Sequence, residues 1–263
     1  MTEIFLASLV LGLVAGLLAG LFGIGGGLVI VPVLAMLFTS QYFPAEQVLL
    51  IAIATSLATI VLTAISSVLA HHRLGAVVWA IVWRLSPMIV VGSAIGAVIA
   101  KQMPAQLLRY VLIAFLLYVG TVMALQIKPQ AKAHKPSKLV DYSVALLIGL
   151  LSSIVGIGGG TLTVPYLVHR QISMHNAVAV SSACGLPIAV SGTVSYSLLG
   201  WSASALPEGC FGYIYLPAFL GITLTSLLTA PLGAKLARKI PAAQLKRYFS
   251  LLLFIMAIKL AWH

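Results

Sequence analysis

The sequence predicts an all-α integral membrane protein, with eight apolar segments arranged as two inverted-topology repeats and the first segment of each repeat broken at a GIGGG hairpin near the membrane midplane. Three observations predict it. Of 263 residues, 61% are hydrophobic and only 7% charged, at a mean hydropathy of +1.13, whereas soluble domains carry roughly 45–50% apolar and about 25% charged residues. Residues 16–34, GLLAGLFGIGGGLVIVPVL, recur as residues 149–167, GLLSSIVGIGGGTLTVPYL, identical at 11 of 19 positions at a constant offset of 133. Each copy interrupts an apolar run with four glycines in five residues.

The same composition excludes several classes. The net charge of +11 comes from 15 Lys and Arg against 4 acids. A soluble nucleic-acid binder would carry a dense basic face, and this chain does not, so nucleic acid is not an expected partner; the lipid bilayer is. Two cysteines, Cys184 and Cys210, make neither a disulfide framework nor a zinc site and read as small apolar fillers. No cofactor motif is present. The glycine runs lack the third glycine of a dinucleotide fingerprint, since Leu28 and Thr161 stand there, and no Gly-Lys-Ser/Thr of a P-loop follows them. No metal site is expected. The acidic opening Met1-Thr2-Glu3 is wrong for a cleaved signal peptide, so the first segment is expected to stay.

The eight apolar segments run over about 4–38, 45–70, 76–100 and 104–127, then 140–168, 175–199, 210–234 and 242–262. A membrane-spanning helix needs about 20 apolar residues, and most segments supply one. The first segment of each half does not fit a simple span. Glycine costs about 1 kcal/mol relative to alanine in a helix interior, and Gly23-Ile24-Gly25-Gly26-Gly27 and Gly156-Ile157-Gly158-Gly159-Gly160 each accumulate four. What remains of the first segment after its break covers about half a membrane. Gly12, Gly16 and Gly20, and Gly92 and Gly96, have the GxxxG spacing of close helix packing. Pro187 is expected to kink its helix. The domains are therefore a first transmembrane repeat over 1–127, a basic cytoplasmic linker over 128–139 and a second transmembrane repeat over 140–263.

The cations choose the topology. If the glycine segments merely kink a spanning helix, the halves are parallel and the 15 cations divide seven against eight. If the chain turns back at the glycines, the halves are inverted. One side then collects Arg73, Arg84, Lys128, Lys132, Lys135, Lys138, Arg170, Lys235, Arg238, Lys239, Lys246 and Arg247, leaving Lys101, Arg109 and Lys259 opposite. Positive loops mark the cytoplasm, so twelve against three predicts inverted halves with both termini outside.

Inverted repeats with interrupted helices in corresponding places point to a secondary transporter that binds its substrate near the midplane. A broken helix exposes unpaired N–H groups at the start of its second half, where the helix dipole adds about half a positive charge. Glycine lets an anion approach closely. The expected substrate-binding residues are Gly23, Gly25, Gly26 and Gly27 in the first break, and Gly156, Gly158, Gly159, Gly160 and Thr161 in the second. Small polar residues of the helix that follows each break join them: Thr55 and Ser56 in the first half, Ser182 and Cys184 in the second. The expected ligand is a small anion.

The doubled G-x-G-G-G-x-x-x-x-P element, Gly23 to Pro32 and Gly156 to Pro165, followed by a small-residue helix with Thr55-Ser56, resembles the sulfite exporter TauE/SafE family, also called the toluene sulfonate uptake permease family. The likeness covers nearly the whole chain. It implies transport of sulfur-containing oxyanions, such as sulfite or organosulfonates, across the bacterial inner membrane. The second half departs from the pattern at Cys184-Gly185.

Glu3, Glu46, Asp141 and Glu208 all lie at segment ends, which leaves no buried carboxylates for a proton relay. Outward movement of an anion is favoured by an inside-negative potential, about 2.3 kcal/mol per charge per 100 mV, and this favours export. The alternatives are an anion channel or an importer of a related organic anion. An intramembrane enzyme is not expected, because H-E-x-x-H, G-x-S-G and paired mid-span aspartates are all missing. His71, His72, His169 and His175 flank segments. Arg84 stands beside Trp79 and Trp83 as in an interfacial belt, and Lys259 is placed to snorkel.

Overall fold

The computed structural model describes residues 2–22, 26–126, 138–203, 206–237 and 242–262. Ten helices hold most of them. In chain order these are α1 (Thr2–Phe22), α2 (Gly27–Ser40), α3 (Val48–Arg73), α4 (Trp79–Gln102), α5 (Ala105–Ala124), α6 (Lys138–Val155), α7 (Gly160–His169), α8 (Met174–Trp201), α9 (Leu216–Ala237) and α10 (Ala242–Trp262). Helices α3, α4, α5, α6 and α8 are long and apolar enough to cross a membrane. The protein is an all-α, multi-pass membrane protein.

The first apolar segment of each half is two helices. Among the described residues α1 ends at Phe22 and α2 starts at Gly27 after a left-handed Gly26, while α6 ends at Val155 and α7 starts at Gly160. The restarted helices have 14 and 10 residues, about 21 and 15 Å long, and neither reaches across roughly 30 Å of hydrocarbon. Each is preceded by a glycine in the left-handed region, Gly26 at φ 75 and Gly159 at φ 74. An L side chain there would be strained.

The principal helix contacts run between the two halves of the sequence. Helix α1 lies on α9 and α4 on α6; α3 crosses α8 and α5 packs on α10; α4 also meets α8, and α3 meets α9. Within the halves, α2 leans on α3 and α7 on α8. At the middle, α3 is buried without interruption from Val48 to Ile60.

Small residues set how close these pairs come, as the GxxxG spacing predicts. A Cβ on Gly16 would stand 2.7 Å from the Ser226 carbonyl oxygen, and one on Gly12 would stand 2.7 Å from Ile222 Cα. Between α4 and α6 the backbones are as tight. A Cβ on Gly149 would stand 2.9 Å from the Ser93 nitrogen, and Gly92 and Gly96 lie directly against the carbonyls of Leu146 and Leu150. With no hydrophobic drive between helices in lipid, such backbone approach is the main source of association.

Two boundaries differ from those read in the sequence. Helix α9 starts at Leu216 rather than near 210, because Cys210–Phe211 (β1) and Ile214–Tyr215 (β2) form a short antiparallel hairpin. The hairpin turns at Gly212, φ 56. Helix α6 starts at Lys138, so the last two residues of the expected linker are helical, while 128–137 lie outside the described residues.

Valine at Gly92 or Gly149 should separate α4 from α6. Overpacking a core costs about 1–3 kcal/mol, and here the obstacle is backbone rather than a flexible side-chain end. We expect either variant to lose most of its monodisperse fraction in mild detergent, measured by thermal-shift size-exclusion.

Candidate functional site

The two breaks touch. A Cβ on Gly27, the first residue of α2, would stand 2.6 Å from the carbonyl oxygen of Gly156 and 3.0 Å from Ile157 Cα. The start of one restarted helix therefore rests on the break that precedes the other. Gly26, Gly27 and residues 156–160 are all buried. Gly23 and Gly25 lie outside the described residues.

Neither helix start is capped by a side chain. The first bonds of α7 run from the amides of Leu162 and Thr163 to the carbonyl of Gly159, and those of α2 from Val29 and Ile30 to Gly26. The amides of Gly160 and Thr161, and of Gly27 and Leu28, thus have no intrahelical acceptor, as at any helix start. Unsatisfied amides are costly at membrane depth unless the chain around them is buried or lines a cavity. Here Gly27, Leu28 and Gly160 are buried and Thr161 is partly buried, at helix starts that lie where the two breaks meet.

Helices α3 and α8 hold the breaks in place. Ser56 Oγ donates to the carbonyl of Gly156 at 2.9 Å, so a hydroxyl of the first half anchors the second break. Thr55 Oγ1 accepts the Tyr215 amide at 3.0 Å and ties the outer hairpin to α3. Ser182 Oγ donates to the Val178 carbonyl one turn back in its own helix. Cys184 is fully buried with a free thiol. At the next position a Cβ on Gly185 would stand 2.8 Å from the Gly158 carbonyl, so the Cys-Gly departure from Thr-Ser makes room for the break. Of the residues expected at the site, Thr55, Ser56 and Ser182 are occupied in these bonds, while Thr161 carries a buried hydroxyl without a partner.

Four more such hydroxyls belong to Ser152, Ser153, Thr163 and Ser181, each residue at most 2% exposed. Ser152 Oγ and Thr163 Oγ1 stand 3.4 and 3.6 Å from where a Gly159 Cβ would be. Comparing the two copies of the repeat would have found three of them, and Thr161 as well, because Ser152, Ser153, Thr161 and Thr163 stand where the first copy has Ala19, Gly20, Leu28 and Ile30, at the constant offset of 133.

Charge is kept to the helix ends. Asp141, in the first turn of α6, is 4% exposed and receives Nη2 of Arg84 and Nη2 of Arg170, each at 2.6 Å, together with the Tyr166 hydroxyl. These groups come from α4, α6, α7 and the residue after α7. On the opposite face Lys101 Nζ donates to the Leu199 carbonyl at 3.0 Å. At the C-terminal end of α2, Phe38 stacks on Phe43 and Tyr215 meets both rings edge-on, with ring centroids 4.8 to 5.5 Å apart. Burial in that hairpin pushes the Cys210 thiol up to about 11.

A family model described as sulfite exporter TauE/SafE matches residues 8–260. The chain belongs to the sulfite exporter TauE/SafE family. It is 40% identical over 261 residues to a probable membrane transporter protein of Haemophilus influenzae, covering 99% of each chain. A probable membrane transporter protein of Methanocaldococcus jannaschii is 26% identical over 255 residues, 95% of this chain and 92% of that one. The Bacillus subtilis probable membrane transporter protein YunE is 28% identical over 235 residues, 79% and 85% of the two chains. No solved structure matches. As a TauE/SafE member with relatives so named, the protein is a membrane transporter.

Three expectations follow from this geometry. Valine at Gly26 or Gly159 meets a left-handed backbone and, at Gly159, the Ile188 side chain, so both variants should insert and yet lose transport. Asp141→Asn leaves two guanidiniums sharing no carboxylate; breaking a buried pair costs about 3–5 kcal/mol, less here because both arginines are partly exposed, and the melting temperature in detergent should fall clearly. In a Cys184→Ser background, maleimide labelling of Cys210 should be slow at neutral pH. Because the thiolate is the reactive form, the rate should rise about tenfold per pH unit up to the thiol's raised value.

Proposed function

We propose that this protein is a secondary transporter that carries small sulfur-containing oxyanions, such as sulfite or organosulfonates, out of the cytoplasm, with the anion held between the restarts of α2 and α7. The observation that carries this reading is the contact between the two glycine breaks, each opening a helix that no side chain caps. Helix starts bind oxyanions through those amides and the dipole behind them. The family supplies the sulfur chemistry.

In this reading each half crosses the membrane three times after a re-entrant helix pair, and the halves are inverted. The charged cluster supports it. Asp141 opens α6 and Arg170 follows α7, yet they are bonded, so the α6–α7 pair ends on the face where it began. Arg84 shares that carboxylate, whereas parallel halves would set Arg84 and Arg170 on opposite faces. The helix contacts fit the same symmetry: when α1 to α5 are exchanged in order with α6 to α10, α1 on α9 becomes α6 on α4, and α3 on α9 becomes α8 on α4. The basic face is the cytoplasmic one and both termini are periplasmic, in the inner membrane of a bacterium.

Transport then requires alternating access, because the junction is buried from both faces. Toward the cytoplasm the α7 end is latched by Arg84, Asp141 and Arg170; toward the periplasm the hairpin of Tyr213 and Tyr215 covers α2 and α3. An inside-negative potential drives an anion outward with no coupling ion. Import against that potential would need one; Asp141, read from the sequence as a segment-end acid, proves buried, but it is held by Arg84 and Arg170 at the end of α6 rather than placed for a relay.

Purified protein in liposomes loaded in turn with sulfite, sulfate, thiosulfate or alkylsulfonates should give, for at least one of these sulfur oxyanions, saturable efflux that quickens when the exit side is made positive and shows counterflow. Large unitary currents would show a channel instead. A reporter fused after His263 should be active only outside the cytoplasm.

A further inference from the structure

The two breaks share one frame but not one chemistry. A Cβ on Gly26 would lie 3.4 Å from the Ala19 methyl and 3.5 Å from Ile30 Cδ1; one on Gly159 would lie 3.4 Å from Ser152 Oγ and 3.6 Å from Thr163 Oγ1. The residues correspond at an offset of 133, and two apolar groups have become two hydroxyls.

Those hydroxyls are held free. Several Ser and Thr in helices donate to the carbonyl one turn back, as Thr39, Ser86, Ser182 and Ser197 do, whereas Ser8, Thr193 and Thr223 do not. Ser152, Ser153, Thr161, Thr163 and Ser181 make no such bond. A buried polar group left unpaired costs about 1–3 kcal/mol, so Ser152 Oγ and Thr163 Oγ1, both beside the Gly159 start of α7, call for a ligand that accepts hydrogen bonds. The amides of Gly160 and Thr161 open the same helix start.

No cation accompanies them. Helices α1 to α3 before His71, α6 and α7 between Lys138 and His169, and α8 after His175 carry no Lys, Arg or His. Asp141, which holds Arg84 and Arg170, is eleven residues from Ser152 along α6, about 16 Å. A ligand here is balanced by hydroxyl dipoles and roughly half a charge at the helix start. Desolvation cost in a low-dielectric site grows as the square of the charge, so a dianion costs about four times what a monoanion does.

Resting on the oxyanion reading above, we propose that the site reads charge number and polarity. It takes an oxyanion with one negative charge and an apolar substituent, the charged head on Ser152, Thr163 and the α7 start, the apolar end on Ala19, Leu28 and Ile30 beside the α2 start. Inorganic dianions are rejected.

The test is a competition series in proteoliposomes at mildly alkaline pH, where sulfate and thiosulfate are dianions. Methanesulfonate and ethanesulfonate should show kcat/KM at least about tenfold above both. Ser152→Ala with Thr163→Val should lower alkylsulfonate kcat/KM by about ten- to a hundredfold, the loss of one or two hydrogen bonds to a charged group. In contrast, Ile30→Thr with Ala19→Ser should shrink the preference over sulfate. Dianions carried as well as alkylsulfonates, or an unaltered Ser152→Ala, Thr163→Val variant, would overturn the proposal while leaving oxyanion transport standing. If no anion moves, the oxyanion reading falls as well. Should a variant fail to insert, the wild-type series decides alone.

Discussion

Every backbone amide within a bilayer has to be satisfied inside the protein, and this chain breaks that rule twice in corresponding places. The remaining architecture accommodates those two breaks. Because α2 and α7 restart too short to span, their uncapped starts come to lie at the junction of the halves. Because they lie there, α3 and α8 have to close around them, and the core of the molecule is that pair of helices rather than any hydrophobic centre driven by water. Ser56, donating to the Gly156 carbonyl, shows how direct the dependence is: one half secures the irregular backbone of the other.

Much of this was legible in the sequence, and for identifiable reasons. Glycines resist helix interiors, so the GIGGG runs announced the breaks. The spacing of Gly12 with Gly16, and of Gly92 with Gly96, announced close helix contacts, which the structure shows. Pairings across long separations were not legible. Arg84, alone beside two tryptophans, read as an interfacial cation; its carboxylate lies 57 residues on, and only the folded chain brings Asp141 and Arg170 to it. The mid-helix hydroxyls Thr55 and Ser182 read as ligands for an anion, yet a hydroxyl in a helix serves equally as an acceptor for a neighbouring loop or as a donor to its own turn. Nothing in a single sequence separates those uses. The β1–β2 hairpin was hidden because its residues are as apolar as the helix they precede.

The divergence of the repeats was in the sequence but needed the structure to acquire meaning. Identical positions locate the breaks, and the differing ones determine what can rest there. A doubled site with two equal halves would treat both ends of a ligand alike. Replacing Ala19, Leu28 and Ile30 by Ser152, Thr161 and Thr163 makes one end wet and the other dry while leaving the glycine frame unchanged, with φ 75 on one side and 74 on the other. Duplication supplied the frame, and later substitution on one copy supplied the direction.

The interlocking of the halves also bears on how the protein is made. Helix α1 finds its main partner in α9, so from Phe22 until Leu216 has been synthesised its glycine face has nothing of its own chain to rest on. Its tightest neighbour is nearly the last segment to leave the ribosome. During that interval α1 must be sheltered by lipid or by the insertion machinery, and the early residues of this chain become fixed among the last.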